Sequence, residues 1–215
     1  MDPDHQAKFA LHEAAREGKT PTAESLLNAN PKLALLEDDD GRLPIHWAVA
    51  YNHLPIVGLL VSNKNFDPDV QDASGWTPLM IAASLKDAQG DAIIELLIRK
   101  GADVNMKSVT GQNALHFATS KSNISTVRML IVNKCSARVK DKRGQLPLHR
   151  AAAVGSIPIH AISEGHGDAA ILLLKAGAEP DKRDSTGNLA IDLAPDKKVR
   201  QYILQTAEKE GIELP

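Results

Sequence analysis

Glycine recurs at positions 41, 75, 111 and 144, at intervals of 34, 36 and 33 residues. This period constrains the chain more than any other feature, because self-similarity at that distance is the mark of a fold built from stacked units. Each glycine lies in a related stretch: "DDDGRLPIHWAVA" from Asp38, "DASGWTPLMIAAS" from Asp72, "SVTGQNALHFATS" from Ser108 and "DKRGQLPLHRAAA" from Asp141. An apolar run and a near-match to "GADVN" then follow, as in "LLIRKGADVNMK" from Leu96, "MLIVNKCSARVK" from Met129 and "ILLLKAGAEPDK" from Ile171.

This order of a tight turn, two short helices and a returning loop is the ankyrin repeat. The residues give it mechanical sense. Glycine at the turn tip permits a positive backbone angle, and Thr77 followed by Pro78 supplies an N-cap and a pre-bent first helical residue. Alanines 48, 82, 83, 118, 151 and 152 let helices approach closely, and Gly101 and Gly177 end second helices. Aromatics are 3% of the chain and hydrophobics 43%, which suits a core of small, closely packed helices. The expected fold is all-α: one ankyrin-repeat solenoid over residues 1–215, with units near 5–37 (N-terminal cap), 38–71, 72–107, 108–140, 141–183 (a hybrid) and 184–215 (C-terminal cap). In the last unit Leu189, Ala190 and Asp192 replace the Thr, Pro and His of the motif, as a polar end cap requires.

Two departures from the period are informative. About three extra residues separate Gly75 from Gly111, and "LKDAQGDA" between the helices of the third unit is where an exposed connection tolerates them. The interval from Gly144 to Gly187 is 43 residues, about 23 short of two full units. The fifth unit is therefore read as an irregular, shortened hybrid, with a short irregular element over residues 156–166 and Ile157, Ile159 and Ile162 filling the gap.

Catalytic chemistry finds no constellation. His12, His46, His116 and His149 share one repeat position and are assigned to bonds with turn backbone. His160 and His166 have no zinc-type spacing, and no phosphate-binding glycine loop is present, so neither metal nor cofactor is expected, and the chain reads as a non-enzyme. Cys135, the single cysteine, is read as replacing a loop glycine and as inert. With no signal peptide pattern it points to a reducing setting, cytoplasm and nucleus. The formal net charge of -2 argues against nucleic acid held by bulk charge, and no apolar run is long enough for a membrane span.

Function is then sought at the positions the repeat leaves variable. The residue after the repeat histidine faces the concave wall in ankyrin geometry, as does the one four later. These are Trp47, Ile81, Phe117 and Arg150, then Tyr51, Leu85, Lys121 and Val154. Exposed apolar groups in such a row mark a binding surface, whereas packing against the adjoining unit is the competing reading, strongest for Ile81 and Leu85. The turn tips are acidic at Asp38, Asp39 and Asp40, beside Arg42, and basic at Lys140, Lys142 and Arg143, beside Arg150. That polarity orients a partner of opposite polarity, or else serves only to solvate the tips.

"DDDGRLPIHWAVA", "DASGWTPLMIAAS" and "DKRGQLPLHRAAAVGS", followed by "SEGHGDAAILLLKAGAE", resemble gankyrin-type ankyrin-repeat proteins and their fungal counterparts. That family consists of chaperones of the proteasome regulatory particle that clasp the C-terminal domain of a base ATPase subunit. The resemblance implies a non-enzymatic assembly chaperone, monomeric when free, with Arg42 and Lys121 at positions that pair with acidic residues of the ATPase. Asp38, Asp39, Asp40, Trp47, Trp76, Phe117 and Arg150 fall on the same expected side, with Tyr51, Ile81 and Arg143 completing the candidate surface. The family's retinoblastoma-binding motif, Leu-x-Cys-x-Glu, is not matched by "HAISEG", which lacks the cysteine. The alternative reading is another intracellular ankyrin adaptor, kinase-inhibitory or transcription-regulating.

Overall fold

The computed structural model describes residues 8–154 and 169–215. Among the described residues the regular structure is helical: α1 (Ala10–Glu17), α2 (Thr20–Ala29), α3 (Pro44–Ala50), α4 (Leu54–Leu60), α5 (Pro78–Ala83), α6 (Asp91–Arg99), α7 (Ala114–Ser120), α8 (Ile124–Val132), α9 (Pro147–Val154), α10 (Ala169–Lys175) and α11 (Lys197–Lys209), with short 3-10 turns at Pro31–Leu35, Lys86–Ala88 and Ala190–Leu193. The expected irregular element at 156–166 lies outside the described residues.

The helices form two compact units, one of residues 1–85 and 89–109, the other of residues 86–88 and 110–215. In the first, α1 packs on α3 and α3 on α5; in the second, α7 packs on α9 and α9 on the 3-10 turn Ala190–Leu193. Alanines 48, 82, 83, 118, 151 and 152 are all buried at these contacts, where a larger side chain would force the helices apart.

Helices this short are marginal alone, so their starts are fixed by side chains. Thr77 Oγ1 accepts the Met80 N–H at 3.3 Å, and Pro78 fills the first helical position of α5. In α3 and α9 the repeat histidine does this work: Nδ1 of His46 accepts the Leu43 N–H at 3.0 Å, and Nδ1 of His149 accepts the Leu146 N–H at 3.2 Å. Asp192 takes over the same task in the C-terminal cap, accepting the Leu189 N–H at 3.0 Å. The cap therefore keeps the local wiring after losing the histidine.

Between units of the repeat the turns hydrogen-bond in a ladder. The carbonyls of Asp40 and Ser74 accept the N–H groups of Ala73 and Val109, and those of Thr110 and Arg143 accept the N–H groups of Lys142 and Ser185, at 2.9 to 3.1 Å. Glycine at the tip is what lets the next turn come this close. Gly75 has φ +73°, and a Cβ there would stand 2.6 Å from the Val109 nitrogen.

The extra residues of the third repeat occupy the connection between α5 and α6, as the spacing implied. Asp87 and Ala88 adopt φ of 53° and 54°, and the Ala88 N–H donates to Asn123 Oδ1 at 3.1 Å. One expectation is corrected. The residue at the loop-glycine position of the fourth repeat is Lys134, whose φ of +68° matches the +92° of Gly101 and +83° of Gly177. Cys135 instead corresponds to Ala102 and Ala178. All three donate their N–H to the leucine carbonyl five residues back, and Cys135 is buried, its Sγ accepting from Asn113 Nδ2 at 3.5 Å.

Candidate functional site

Each hairpin is organised around one buried or half-buried aspartate. Its Oδ1 accepts backbone N–H groups two and four residues on: Asp38 from Asp40 and Arg42, Asp72 from Ser74 and Trp76, Asp141 from Arg143 and Gln145, Asp184 from Thr186 and Asn188. A carboxylate satisfied this way closes the turn in one shape. The fourth repeat carries Ser108 at this position.

The second oxygen connects the turn to the candidate residues. Asp38 Oδ2 accepts the Trp47 indole N–H at 2.7 Å, and Asp141 Oδ2 pairs with Arg150 Nη2 at 3.1 Å. Asp72 Oδ2 instead pairs with Arg42 Nε at 3.1 Å, and Asp184 Oδ2 accepts from Gln145 Nε2 at 3.2 Å. Thus Arg42 and Gln145, each just after a turn glycine, reach forward to the next turn, while Trp47 and Arg150, nine residues after the aspartate, reach back to their own. The spacing of this network was present in the sequence, but it becomes legible only when adjacent turns are placed in register.

Burial alters the candidate surface. Ile81 is 5% exposed and Phe117 9% exposed, so neither presents an apolar group to solvent. Both sit in helices flanked by packed neighbours: α5, which bears Ile81, is covered by α3, and α7, which bears Phe117, is covered by α9. The reading of these two as open contact residues is corrected accordingly. Tyr51 is 52% exposed and Val154 46% exposed; Trp47, Trp76 and Leu85 are half-buried.

In the first unit the exposed character is aromatic and acidic. Tyr51 stacks between Trp47 and His53, with centroid distances of 6.3 and 6.4 Å. The Arg42 guanidinium lies 5.1 Å from the Trp47 ring centroid, a cation–π distance. Asp39 and Asp40 project to solvent. Burial raises the Asp38 carboxyl, but the Arg42 N–H, the Trp47 indole and the Asp40 N–H outweigh it, so its pKa falls below the ordinary value. In the second unit the character is basic: Lys121, Lys140, Lys142 and Arg143 are exposed. Residues 110–215 with 86–88 hold 16 Lys and Arg against 12 Asp and Glu, whereas the first unit holds 9 against 15.

Arg42 and Arg150 are thus not free cations; each is already neutralised by an aspartate whose side chain is 3% exposed. Lys121, at the C-terminal end of α7, makes no ion pair among the described residues.

The repeat histidines also act between repeats. Nε2 of His12 faces the Arg42 carbonyl at 3.0 Å, that of His46 the Val70 carbonyl at 3.3 Å and that of His116 the Gln145 carbonyl at 3.1 Å. In His46 the Nδ1 accepts a backbone N–H, so the proton sits on Nε2 and the ring is neutral. Burial lowers the pKa of all four, that of His116 to about 4. Their role is structural, as the shared repeat position implied. Among the described residues no group of three His, Cys, Asp or Glu side chains is placed to hold a metal ion, and no helix is long and apolar enough to cross a membrane.

Comparison with known proteins follows the same lines. The "Ankyrin repeats (3 copies)" family pattern matches residues 11–108 and 86–184. The chain is 36% identical to "Probable 26S proteasome regulatory subunit p28" of Saccharomyces cerevisiae, covering 92% of this chain and 98% of that protein. It is 33% identical to "Ankyrin repeat-containing protein C6C3.08" of Schizosaccharomyces pombe, over 89% of this chain and 92% of the relative. A human relative, "Neurogenic locus notch homolog protein 1", is 33% identical over 69% of this chain but only 6% of its own length. The alignment to the budding-yeast protein extends over 228 positions, more than the 215 residues of this chain, so that relative has residues this chain lacks. The chain belongs to the ankyrin-repeat family, and its likeness to the p28 protein along nearly the whole of both chains places it in the gankyrin-type group.

Proposed function

We propose that this chain is a non-enzymatic protein-binding chaperone for assembly of the proteasome regulatory particle, and that it clasps the C-terminal domain of a base ATPase subunit. The observation that carries the reading is mutual coverage. Shared repeats alone also produce the notch similarity, which leaves 94% of that protein unmatched, whereas the p28 similarity accounts for 98% of its counterpart. The two units supply surfaces of opposite character, an aromatic and acidic one around Trp47, Tyr51, Asp39 and Asp40, and a basic one around Lys121, Lys142 and Arg143. Apolar anchors provide affinity and charge fixes orientation. Steric bulk on the ATPase domain would delay its docking on the proteolytic core.

The test uses the full chain as bait. Regulatory-particle ATPases should dominate the eluate at low salt. Reversing Lys121 and Arg143 together to Glu should lower ATPase capture about tenfold, with circular dichroism and melting temperature unchanged, because both side chains are exposed. Capture that survives the double reversal removes these residues from the interface. An eluate without regulatory-particle ATPases removes the function itself and favours another ankyrin adaptor.

A further inference from the structure

The first unit contains a cavity that lies apart from the Trp47 and Tyr51 surface. It measures about 210 Å³, and Leu35, Leu43, Ile45, Leu60 and Phe66 form its apolar lining. Leu43, Ile45 and Leu60 are buried and make the floor, while Leu35, 41% exposed, stands at the rim. Ile45 and Trp47 are two residues apart on α3, and a turn of ~200° between them places the two on nearly opposite flanks of the helix.

The walls are held open by hydrogen bonds. Asn63 Nδ2 donates to the Pro31 carbonyl at 3.0 Å, tying the 3-10 turn Pro31–Leu35 to the loop after α4, and Asn63 Oδ1 accepts the Asn65 N–H at 3.0 Å. Asp67 Oδ1 accepts the Asp69 N–H at 2.9 Å and fixes the far side of the loop. The space far exceeds the ~10–15 Å³ that one water needs, and its size and apolar lining suit a single Leu, Met or Phe side chain.

The rim has one sign of charge. Glu37 and Asp67 line the cavity, both exposed, and among the described residues no Lys or Arg lines it. Neither carboxylate is ion-paired among the described residues. Nearby, Asp69 has its pKa raised, chiefly by burial, which the Asp103 N–H partly offsets and the charges of Asp103 and Asp67 reinforce; Lys32 and Lys64, exposed on the same turn and loop, are not among the residues that line the cavity. An acidic rim repels phosphate, so nucleic acid and anionic lipid are poor occupants. An apolar slot framed by two unpaired carboxylates instead selects an apolar side chain with a cation beside it.

We propose that this cavity is a docking site for a short segment of a partner protein, in which one bulky apolar side chain enters the slot and a flanking Lys or Arg pairs with Glu37 and Asp67. The site is separate from the surface assigned to the ATPase domain and does not depend on that assignment.

The test is a titration of the full chain, carrying 13C-labelled Leu, Ile and Val methyl groups, with two synthetic probes: acetyl-Gly-Lys-Leu-Arg-Gly-amide and acetyl-Gly-Glu-Leu-Glu-Gly-amide. The basic probe should shift the Leu35, Leu43, Ile45 and Leu60 methyls saturably and bind about fivefold tighter than the acidic one. Replacing the probe's leucine with alanine should abolish those shifts. The double variant Glu37→Gln with Asp67→Asn, which keeps the Asp69 N–H acceptor and changes only exposed groups, should bring the two probes within about twofold of each other. The variant Ala34→Leu, which fills the slot, should remove the shifts for both. No methyl shifts with the basic probe, equal or tighter binding of the acidic probe, or undiminished binding of the alanine probe would each overturn the proposal. So would methyl shifts that depend on protein concentration without any probe, since the occupant would then be a second copy of this chain. None of these readouts involves a proteasomal protein, so they stand or fall independently of ATPase capture.

Discussion

The two units are built alike and charged unalike. Asp72 in the first and Asp141 in the second close their turns with the same two backbone bonds and hold one arginine each, at 3.1 Å in both cases. Yet the first unit is acidic and the second basic, and at the tips Asp39 and Asp40 stand where Lys142 and Arg143 stand one unit later. The difference teaches where each kind of information resides. Buried aspartates, repeat histidines and tip glycines shape the hairpin from within, whereas the tip side chains project into solvent and are free to diverge.

The strongest way to break the comparison is to remove the shared wiring. Asp72→Ala and Asp141→Ala each delete two turn bonds and an ion pair, and each should cost about 2–4 kcal/mol in urea unfolding. A large loss in one unit and none in the other would show that the common geometry hides unequal energetics.

Acidification comes next. The repeat histidines have folded-state pKa values below that of the free side chain, so the unfolded chain binds more protons between the two values and stability falls as pH falls. The contribution is complete above about pH 6.5 and is lost progressively towards about pH 4, the value for His116. That histidine alone should account for about 3 kcal/mol at the acid end. Unfolding free energies measured from pH 7 to 4 should therefore show a positive slope with pH, and His116→Gln should flatten it. A slope unchanged in that variant would assign the acid sensitivity elsewhere.

The smallest effect sharpens a contrast between loops. Gly101 and Gly177 occupy the left-handed region at no steric cost, whereas Lys134 occupies it with a side chain. Lys134→Gly should stabilise the second unit by about 0.5–1 kcal/mol, visible as a higher urea midpoint. A destabilised variant would mean that contacts of the Lys134 side chain outweigh the backbone strain.

Much of the fold could be read from local chemistry. Thr77 and Pro78, the tip glycines and the small buried alanines act within a turn or two of where they stand, so their meaning survives in one dimension. The candidate surface was less legible because it depends on register between repeats. Arg42 looked like an open cation until the next turn brought Asp72 beside it, 30 residues away. Ile81 and Phe117 share a repeat position with Trp47 and Arg150, but that position does not carry the same exposure in every repeat: the first two are buried and the other two half-buried. The sequence alone puts the loop-glycine position of the fourth repeat at Cys135, one residue beyond Lys134, because that position is marked by backbone angle, which composition does not reveal. The slot below Leu35 had no sequence signal at all, because its walls come from a 3-10 turn, a loop and two helix ends.

The ladder of main-chain bonds joining successive tips involves no side chain. Its rungs are therefore indifferent to what each hairpin displays, and a dipeptide such as Asp39-Asp40 can be traded for Lys-Arg without rewriting the scaffold. A protein wired this way can acquire new clients by editing two letters per hairpin, and the same economy makes it a ready frame for deliberate retargeting.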